Sequence, residues 1–341
     1  MTVMGGLSPG RGSQTADSRE RGPALRELRT AGIAGLGAAL PGRRVANADI
    51  AARLGVDSEW IERRTGIIER RYAAPGERVS ELATSAGRMA LEDAGLDAAD
   101  LDMVLVATLA SDEITPGTAP IVAHALGASR AAALDVGAAC TGAIAALAHA
   151  TAWVEAGRGR HVLVIGAEIL TRFVDFEDRR TAPLFGDGAG ALVVSVDADG
   201  EIGPFVLGSD GGLAPAIRAT RERGVLEMEG HETFLAAVHR LTASTVEVLD
   251  LAGLALGDVD LFVYHQANSR ILSAVADRLA LAPGRVFDCI AGFGNTSAAS
   301  VPLALQEAIR TGALRPGARV VLGAVGAGLV WGATVLTWGR P

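Results

Sequence analysis

Lysine is absent from the 341-residue chain: all 31 basic residues are arginine, set against 39 acidic ones for a net charge of −8. A lysine-free sequence rich in alanine and glycine reflects GC-rich coding and carries no information about function. An acidic chain without a basic run argues against nucleic acid as the main partner. It confines any contact with an acidic partner to a local arginine patch. Cysteine is nearly as scarce. Cys140 and Cys289 make no disulfide framework, and no Cys/His spacing suggests zinc. No metal is therefore expected, and a reducing cytoplasm fits best. Long apolar runs are missing too. No segment offers the ~20 uninterrupted apolar residues of a membrane span, so no membrane partner is expected. Residues 1–28 lack the apolar core of a secretory signal and are expected to form a mobile N-terminal extension outside the fold.

What is present is a duplication. The length suggests roughly two domains of ~150 residues each. Residues 90–107 read ALEDAGLDAADLDMVLVA and residues 248–265 read VLDLAGLALGDVDLFVYH. At a constant offset of 158, Leu91/Leu249, Ala94/Ala252, Gly95/Gly253, Leu96/Leu254, Asp100/Asp258 and Asp102/Asp260 are identical. Each copy shows a helix, a glycine stop, a short loop and an apolar run, which predicts a helix feeding a buried strand. The same offset aligns HVLVIG (161–166) with RVVLGA (319–324), and TGAIAALA after Cys140 with ASVPLALQ at 299–306. Two similar α/β halves related by a pseudo-twofold follow, 29–199 and 200–341, with the boundary where ALVVSVDA runs into DGEIG. Chance similarity in an Ala/Leu/Gly-rich chain is the competing explanation, and three segments at one offset weigh against it.

Four places could carry chemistry. Cys140, in ALDVGAACTGAIAALA, falls where an apolar strand turns through small residues into a helical composition. That predicts a thiol at the positive end of a helix, where a pKa near ~8.5 is lowered enough to populate thiolate. An arbitrary lone cysteine reads instead as plain core, as Cys289 does. His265 ends the second repeat's strand, ahead of the polar run QANSR, at the kind of strand end where α/β folds gather their sites. Taken alone it reads as well as a solvated loop histidine. Asn295, in AGFGNTSAAS, lies in the loop equivalent to the Cys140 elbow, though an asparagine among glycines is also an ordinary turn residue. LFGDGAGALVV (184–194) lacks the GK[ST] ending of a phosphate loop and is expected to be a structural turn. GAVGAGLVWGATVL (323–336) places small residues between two strands, where a bare backbone N–H can face a substrate oxygen.

In this order, ACTGAIAAL, LFGDGAGA, YHQANSRI, GFGNTSAASVPLAL and GAGLVWGA resemble the β-ketoacyl-[acyl-carrier-protein] synthase III family, from about residue 30 to the C-terminus. The resemblance implies an α/β thiolase-like fold, five layers αβαβα made of two duplicated halves, and a homodimer. It implies Cys140 as nucleophile, His265 and Asn295 as the decarboxylation pair, and the backbone N–H groups of Cys140 and Ala327 as the oxyanion hole. Ala327 stands where the family usually has glycine. Trp60, Arg64 and Arg179 match residues that contact CoA, Asn268 one near the pantetheine arm and Gly230 one of the tunnel. Arg270 and Arg278 keep two cationic positions expected to dock the carrier protein, while Leu235 replaces a basic residue. The stretch before Trp60, GVDSE, departs from the family's Thr-Ser-Asp-Glu. Thr115 stands where a partner-subunit side chain, often Phe, closes the acyl pocket.

The implied reaction is a decarboxylative condensation of an acyl-CoA starter with malonyl acyl carrier protein through an acyl-cysteine, with no metal or redox cofactor. Three rivals share some of these residues. A synthase III-like acyltransferase would pass the acyl group to an oxygen or nitrogen nucleophile. A Cys-His-Asn hydrolase would not explain the duplicated halves. A non-catalytic partner subunit would not be expected to keep Cys140.

Overall fold

The computed structural model describes residues 29–340; the extension expected over 1–28 lies outside them. The first half opens with β1 (Gly32–Ala39). The short ladder of β2 (Arg43–Ala46) and β3 (Glu69–Tyr72) then encloses helices α1 (Asn47–Leu54) and α2 (Ser58–Thr65). It continues with α3 (Val79–Ala94), β4 (Met103–Ala107), α4 (Thr118–Leu126), β5 (Ala132–Val136), α5 (Gly142–Glu155), β6 (His161–Glu168) and β7 (Gly188–Ser195). The second half runs through β8 (Glu201–Ser209), the small ladder of β9 (Ile217–Ala219) with β10 (Leu226–Met228), then α6 (Gly230–Ala252) and β11 (Leu261–Tyr264). It closes with α7 (Ser269–Arg278), α8 (Ser300–Arg310), β12 (Arg319–Gly326) and β13 (Val330–Thr337).

Two sheets result, ordered β1-β7-β6-β4-β5 and β8-β13-β12-β11. Position by position they match: β4 and β6 are parallel, as are β11 and β12, while the remaining pairs toward β1 and β8 are antiparallel. The counterpart of β5 is reduced to a single bridge between Phe262 and Val286. The repeated residues serve repeated purposes. Gly95 and Gly253 stop α3 and α6 at φ 66° and 68°, a conformation open to glycine at little cost. Asp102 donates its N–H to the His161 carbonyl and accepts the His161 N–H on its carboxylate; Asp260 does both with Arg319. Each aspartate thereby pins the start of a parallel strand pair.

Helices α5 and α8 lie between the sheets, and one apolar core joins Ile144, Leu147 and Val154 of α5, Val301 and Leu305 of α8, and inward residues of both sheets. The outer face of the first sheet is covered by α3 with α4, that of the second by α6 with α7. The order of layers is α-β-α-β-α. Strands β6 and β7 are buried at every position, which is why HVLVIGAE and GAGALVVS read as continuous small or apolar runs rather than alternating ones. The charged exception is Glu168, the last residue of β6, wholly buried.

Candidate active site

The sequence turns from β5 into α5 through a one-turn helix, Ala139–Thr141, entered with Ala139 at φ 46°. In the other half a matching turn, Ser297–Ala299, leads into α8 with Ser297 at φ 49°. Ala139 and Ser297 are themselves related by the repeat offset, so both elbows carry the same left-handed residue. The opposite half presses on each. A Cβ on Gly326 of β12 would stand 2.7 Å from Cys140 N, and one on Gly166 of β6 would stand 2.2 Å from the Ala298 carbonyl oxygen. Glycine at these two points lets the elbows meet.

Cys140 therefore sits at a helix start, but its thiol is not acidic in the resting protein. Burial is the largest influence and pushes it up to about 11, with the Glu168 charge adding to the rise. Hydrogen bonds from the Ser297 hydroxyl, the Cys140 N–H and the Ala327 N–H work in the other direction. The expectation of a thiolate populated at neutral pH through the helix terminus is corrected here: desolvation outweighs the dipole. The same two backbone N–H groups, of Cys140 and Ala327, converge on the sulfur. Ala327 stands in the turn between β12 and β13.

His265 follows β11 and is buried, with its Nδ1 2.6 Å from Ser300 Oγ. Ser300 Oγ accepts the Gln266 N–H at 3.2 Å and has a hydrogen to give to Nδ1. In the tautomer that receives it, the ring proton stands on Nε2. Burial holds the imidazole down at about 4, so it is neutral at physiological pH. Asn295 is buried too; its Oδ1 accepts the Ser297 N–H at 2.9 Å. Its backbone is held by Leu184 and Gly186, so the LFGDG segment acts as a structural turn bracing the asparagine loop. With Oδ1 engaged, the side-chain NH₂ remains as the donor.

Cys140, His265, Asn295 and Ala327 line one cavity of about 720 Å³. Trp60, Arg64, Arg179, Gly230, Asn268 and Arg270 line it as well. His265 and Asn295 are buried and Cys140 is half-buried, whereas Arg64, Arg179 and Arg270 are exposed, so the cavity leads from a cationic rim to a largely buried interior. The Arg64 guanidinium stacks 4.6 Å over Trp60, and Arg179 Nε donates to the Leu54 carbonyl at the end of α1. Asn268 caps α7 through Arg270 N–H and ties it to α2 through the Arg64 carbonyl. Arg278 is exposed in the last turn of α7, away from the cavity lining, and exposed Thr115 does not line its own chain's cavity. Cys289 packs against the core and does not line it either. Three residues escaped the sequence reading: Ser297, Ser300 and Glu168. Ser297 was reachable through the repeat, as the partner of Ala139; for Glu168 the signal was a carboxylate closing an otherwise apolar strand.

A duplicated five-layer fold with a cysteine at one elbow, facing a histidine and an asparagine from the other half, defines a thiolase-fold condensing enzyme. A family profile described as 3-oxoacyl-[acyl-carrier-protein] synthase III matches residues 134–211, and its C-terminal counterpart matches 249–338. The chain belongs to the β-ketoacyl-[acyl-carrier-protein] synthase III family. It is 43% identical over 325 residues to such a synthase from Caldanaerobacter subterraneus subsp. tengcongensis, covering 91% of this chain and 98% of that one. The crystal structure of 3-oxoacyl-[acyl-carrier-protein] synthase III from Aquifex aeolicus superposes with a TM-score of 0.88 at 40% identity, over 90% of this chain and 100% of that one. The priming β-ketosynthase of the R1128 polyketide pathway gives 0.88 at 38% identity, over 94% and 100%.

Proposed function

We propose that this enzyme is an acyltransferase of the condensing type, joining an acyl-CoA starter to malonyl acyl carrier protein and so initiating fatty-acid or polyketide synthesis. The observation that carries the reading is one cavity holding a thiol faced by two backbone N–H groups, a neutral histidine and an asparagine with a free donor. Cys140 attacks the starter thioester; the N–H groups of Cys140 and Ala327 hold the oxyanion, and CoA leaves. Malonyl thioester then loses CO₂, and its enolate oxygen receives hydrogen bonds from His265 Nε2–H and the Asn295 amide. The carbanion attacks the acyl-cysteine and frees the thiolate. These steps balance with the two thioesters alone, so no metal or redox cofactor is invoked.

Among the described residues the lining of the cavity includes Arg64, Arg179, Arg180 and Arg270 and no aspartate or glutamate, which suits the phosphates of CoA and of a carrier-protein arm. In this reading Trp60 and Arg179 flank the adenine, Asn268 and Gly230 the pantetheine, and Arg270 with Arg278 meets the acidic carrier protein. We divide the chain at 199/200 and assign it a homodimer, because β5 is an edge strand with Leu134 53% exposed, an edge that requires cover. Among the described residues no helix is long and apolar enough to cross a membrane; a cytoplasmic location is part of this proposal.

The test supplies carboxyl-labelled malonyl carrier protein and an acyl-CoA, scoring CO₂ release and acyl-enzyme mass. Wild type should do both. H265A and N295A should acylate Cys140 but lose ~10²–10³ in condensation, as removal of one oxyanion donor does. Acyl transfer to an alcohol or amine without CO₂ release overturns the condensing reading.

A further inference from the structure

At the nucleophile one hydroxyl hydrogen has two acceptors. Ser297 Oγ lies 3.0 Å from Glu168 Oε1, to which it donates, and Ser297 lines the same cavity as Cys140, where its hydroxyl lowers the thiol pKa. A serine carries a single hydroxyl hydrogen, so it cannot serve a carboxylate and a thiolate together. Glu168, at the end of β6, is 0% exposed. Its Oε2 accepts from Leu109 N–H at 3.2 Å and Thr108 Oγ1 at 3.3 Å, with Ala298 N–H a further donor. None of these partners is a cation. The groups that face it come from the end of β4 (Thr108, Leu109), the elbow before α8 (Ser297, Ala298) and the elbow before α5 (Cys140). Cys140 is the titratable member of that set. A buried carboxyl with hydrogen bonds but no counter-charge favours its neutral form, and burial pushes Glu168 up to about 8.

We propose that Glu168 is a positioning residue for the nucleophile: protonated, it donates to Ser297 Oγ and commits the Ser297 hydrogen to Cys140, whereas ionised, it takes that hydrogen for itself. Oε2 is held as an acceptor by Leu109 N–H, so the acid hydrogen belongs on Oε1, beside Ser297. The chain Glu168 O–H to Ser297 O–H to Cys140 S⁻ then stabilises thiolate with neutral groups, and the site carries one negative charge. When Glu168 loses its proton to solvent, the chain reverses and a thiolate would lie beside a second anion. Glu168 thus sets an upper pH limit on the nucleophile. The inference rests on Cys140 being the reactive thiol.

The experiment follows alkylation of Cys140 by iodoacetamide, mapped by peptide mass, from about pH 6 to about pH 9.5. Wild type, E168Q, S297A and the double variant are compared. Glutamine mimics the neutral carboxyl. His265 titrates below this window, so Glu168 and Cys140 govern the profile. Wild-type rates should rise with pH and flatten near pH 8, while those of E168Q keep rising and reach roughly tenfold above wild type at pH 9. S297A should be slower than wild type by about tenfold at pH 7, and in its background E168Q should gain little. An E168Q profile that superposes on wild type overturns the proposal. So does an E168Q gain undiminished by S297A, because the carboxylate would then act by charge alone. Should E168Q fail to fold, S297A decides: a wild-type rate at pH 7 overturns the proposal and the tenfold loss upholds it. Acylation of wild-type Cys140 by acyl-CoA is scored separately, so a failure of the synthase reading is not mistaken for a failure of this one.

Discussion

His265 and Glu168 are both buried and both largely neutral at pH 7, because desolvation works on groups of opposite charge with the same result. Their effects on stability run in opposite directions. His265 is lowered from 6.5 to about 4, so its contribution is present above pH 6.5 and is lost as pH falls toward 4, where the unfolded chain takes up a proton that the native state refuses. Glu168 is raised from 4.5 to about 8, so its contribution is present below pH 4.5 and is lost as pH rises toward 8. Between 4.5 and 6.5 the two oppose each other. From 6.5 to 8 Glu168 acts without that opposition, and the linkage slope for one proton is at most about 1.4 kcal/mol per pH unit. The melting temperature of wild type should therefore fall from pH 6.5 to pH 8, and E168Q should show a flatter profile by calorimetry. An equal fall in both would mean that Glu168 is ionised in the native state across that range. At this scale the sequence singled out residue types able to react: Cys140 and His265 each ended or followed a strand-like run, and Asn295 lay in the loop that the repeat matches to the Cys140 elbow. It did not show their protonation. The raised thiol depends on how much protein closes over it, and a helix terminus cannot be weighed against burial before the other half of the chain is placed.

Among the elements, the repeat was legible wherever the two halves kept their loop lengths. α3/α6, β4/β11, α5/α8 and β6/β12 share the 158-residue offset, fixed by the glycine stops and by Asp102 and Asp260. β7 and β13 do not, because residues 169–187 separate β6 from β7 while only 327–329 separate β12 from β13. Those unequal loops are where the halves differ in purpose. The long one carries Arg179 to the cavity rim, and the short one holds the Ala327 N–H against the thiol. The crossing contacts also explain two glycines inside strands, where the residue otherwise weakens pairing. On Gly166 a Cβ would meet the Ala298 carbonyl oxygen at 2.2 Å and its carbonyl carbon at 2.6 Å. Both belong to backbone that cannot rotate away. G166A should therefore push the Ser297 elbow off β6, costing about 1–3 kcal/mol and a few degrees in melting temperature. Because Ser297 acts on the thiol's pKa, Cys140 reactivity should change with it. A G166A protein with wild-type stability and alkylation rate would mean that the two elbows do not meet as tightly as these distances require.

For the whole molecule, the choice of starter turns on what closes the acyl end of the cavity. Thr115 lies between β4 and α4, exposed, and does not line the cavity of its own chain. Nearby, β5 offers an unpaired edge, and Asp135 on that strand accepts the Thr118 and Ala119 N–H groups at the start of α4. A twofold dimer built across β5 would carry the Thr115 loop as a unit with its edge strand and bring it toward the other subunit, an isologous arrangement in which each chain closes its partner's site. Threonine is much smaller than the phenylalanine common at this place, so the pocket should extend beyond acetyl. Each further buried CH₂ is worth ~0.8 kcal/mol, nearly a fourfold gain in binding. Starters of four carbons or more, branched ones included, should outcompete acetyl-CoA in wild type. T115F should restore acetyl preference while leaving acetyl transfer nearly unchanged. Competition between acetyl-, butyryl- and isobutyryl-CoA, read from the mass of the acyl-enzyme, measures the order; a wild-type preference for acetyl refutes the wide pocket. A mixed dimer locates the effect. When a T115F/C140S subunit is paired with an otherwise wild-type one, the only acylatable Cys140 belongs to the subunit that still has Thr115. Its selectivity should follow the substitution on its partner. If it keeps the wild-type order instead, the pocket is closed from within one chain and Thr115 has no part in choosing the starter.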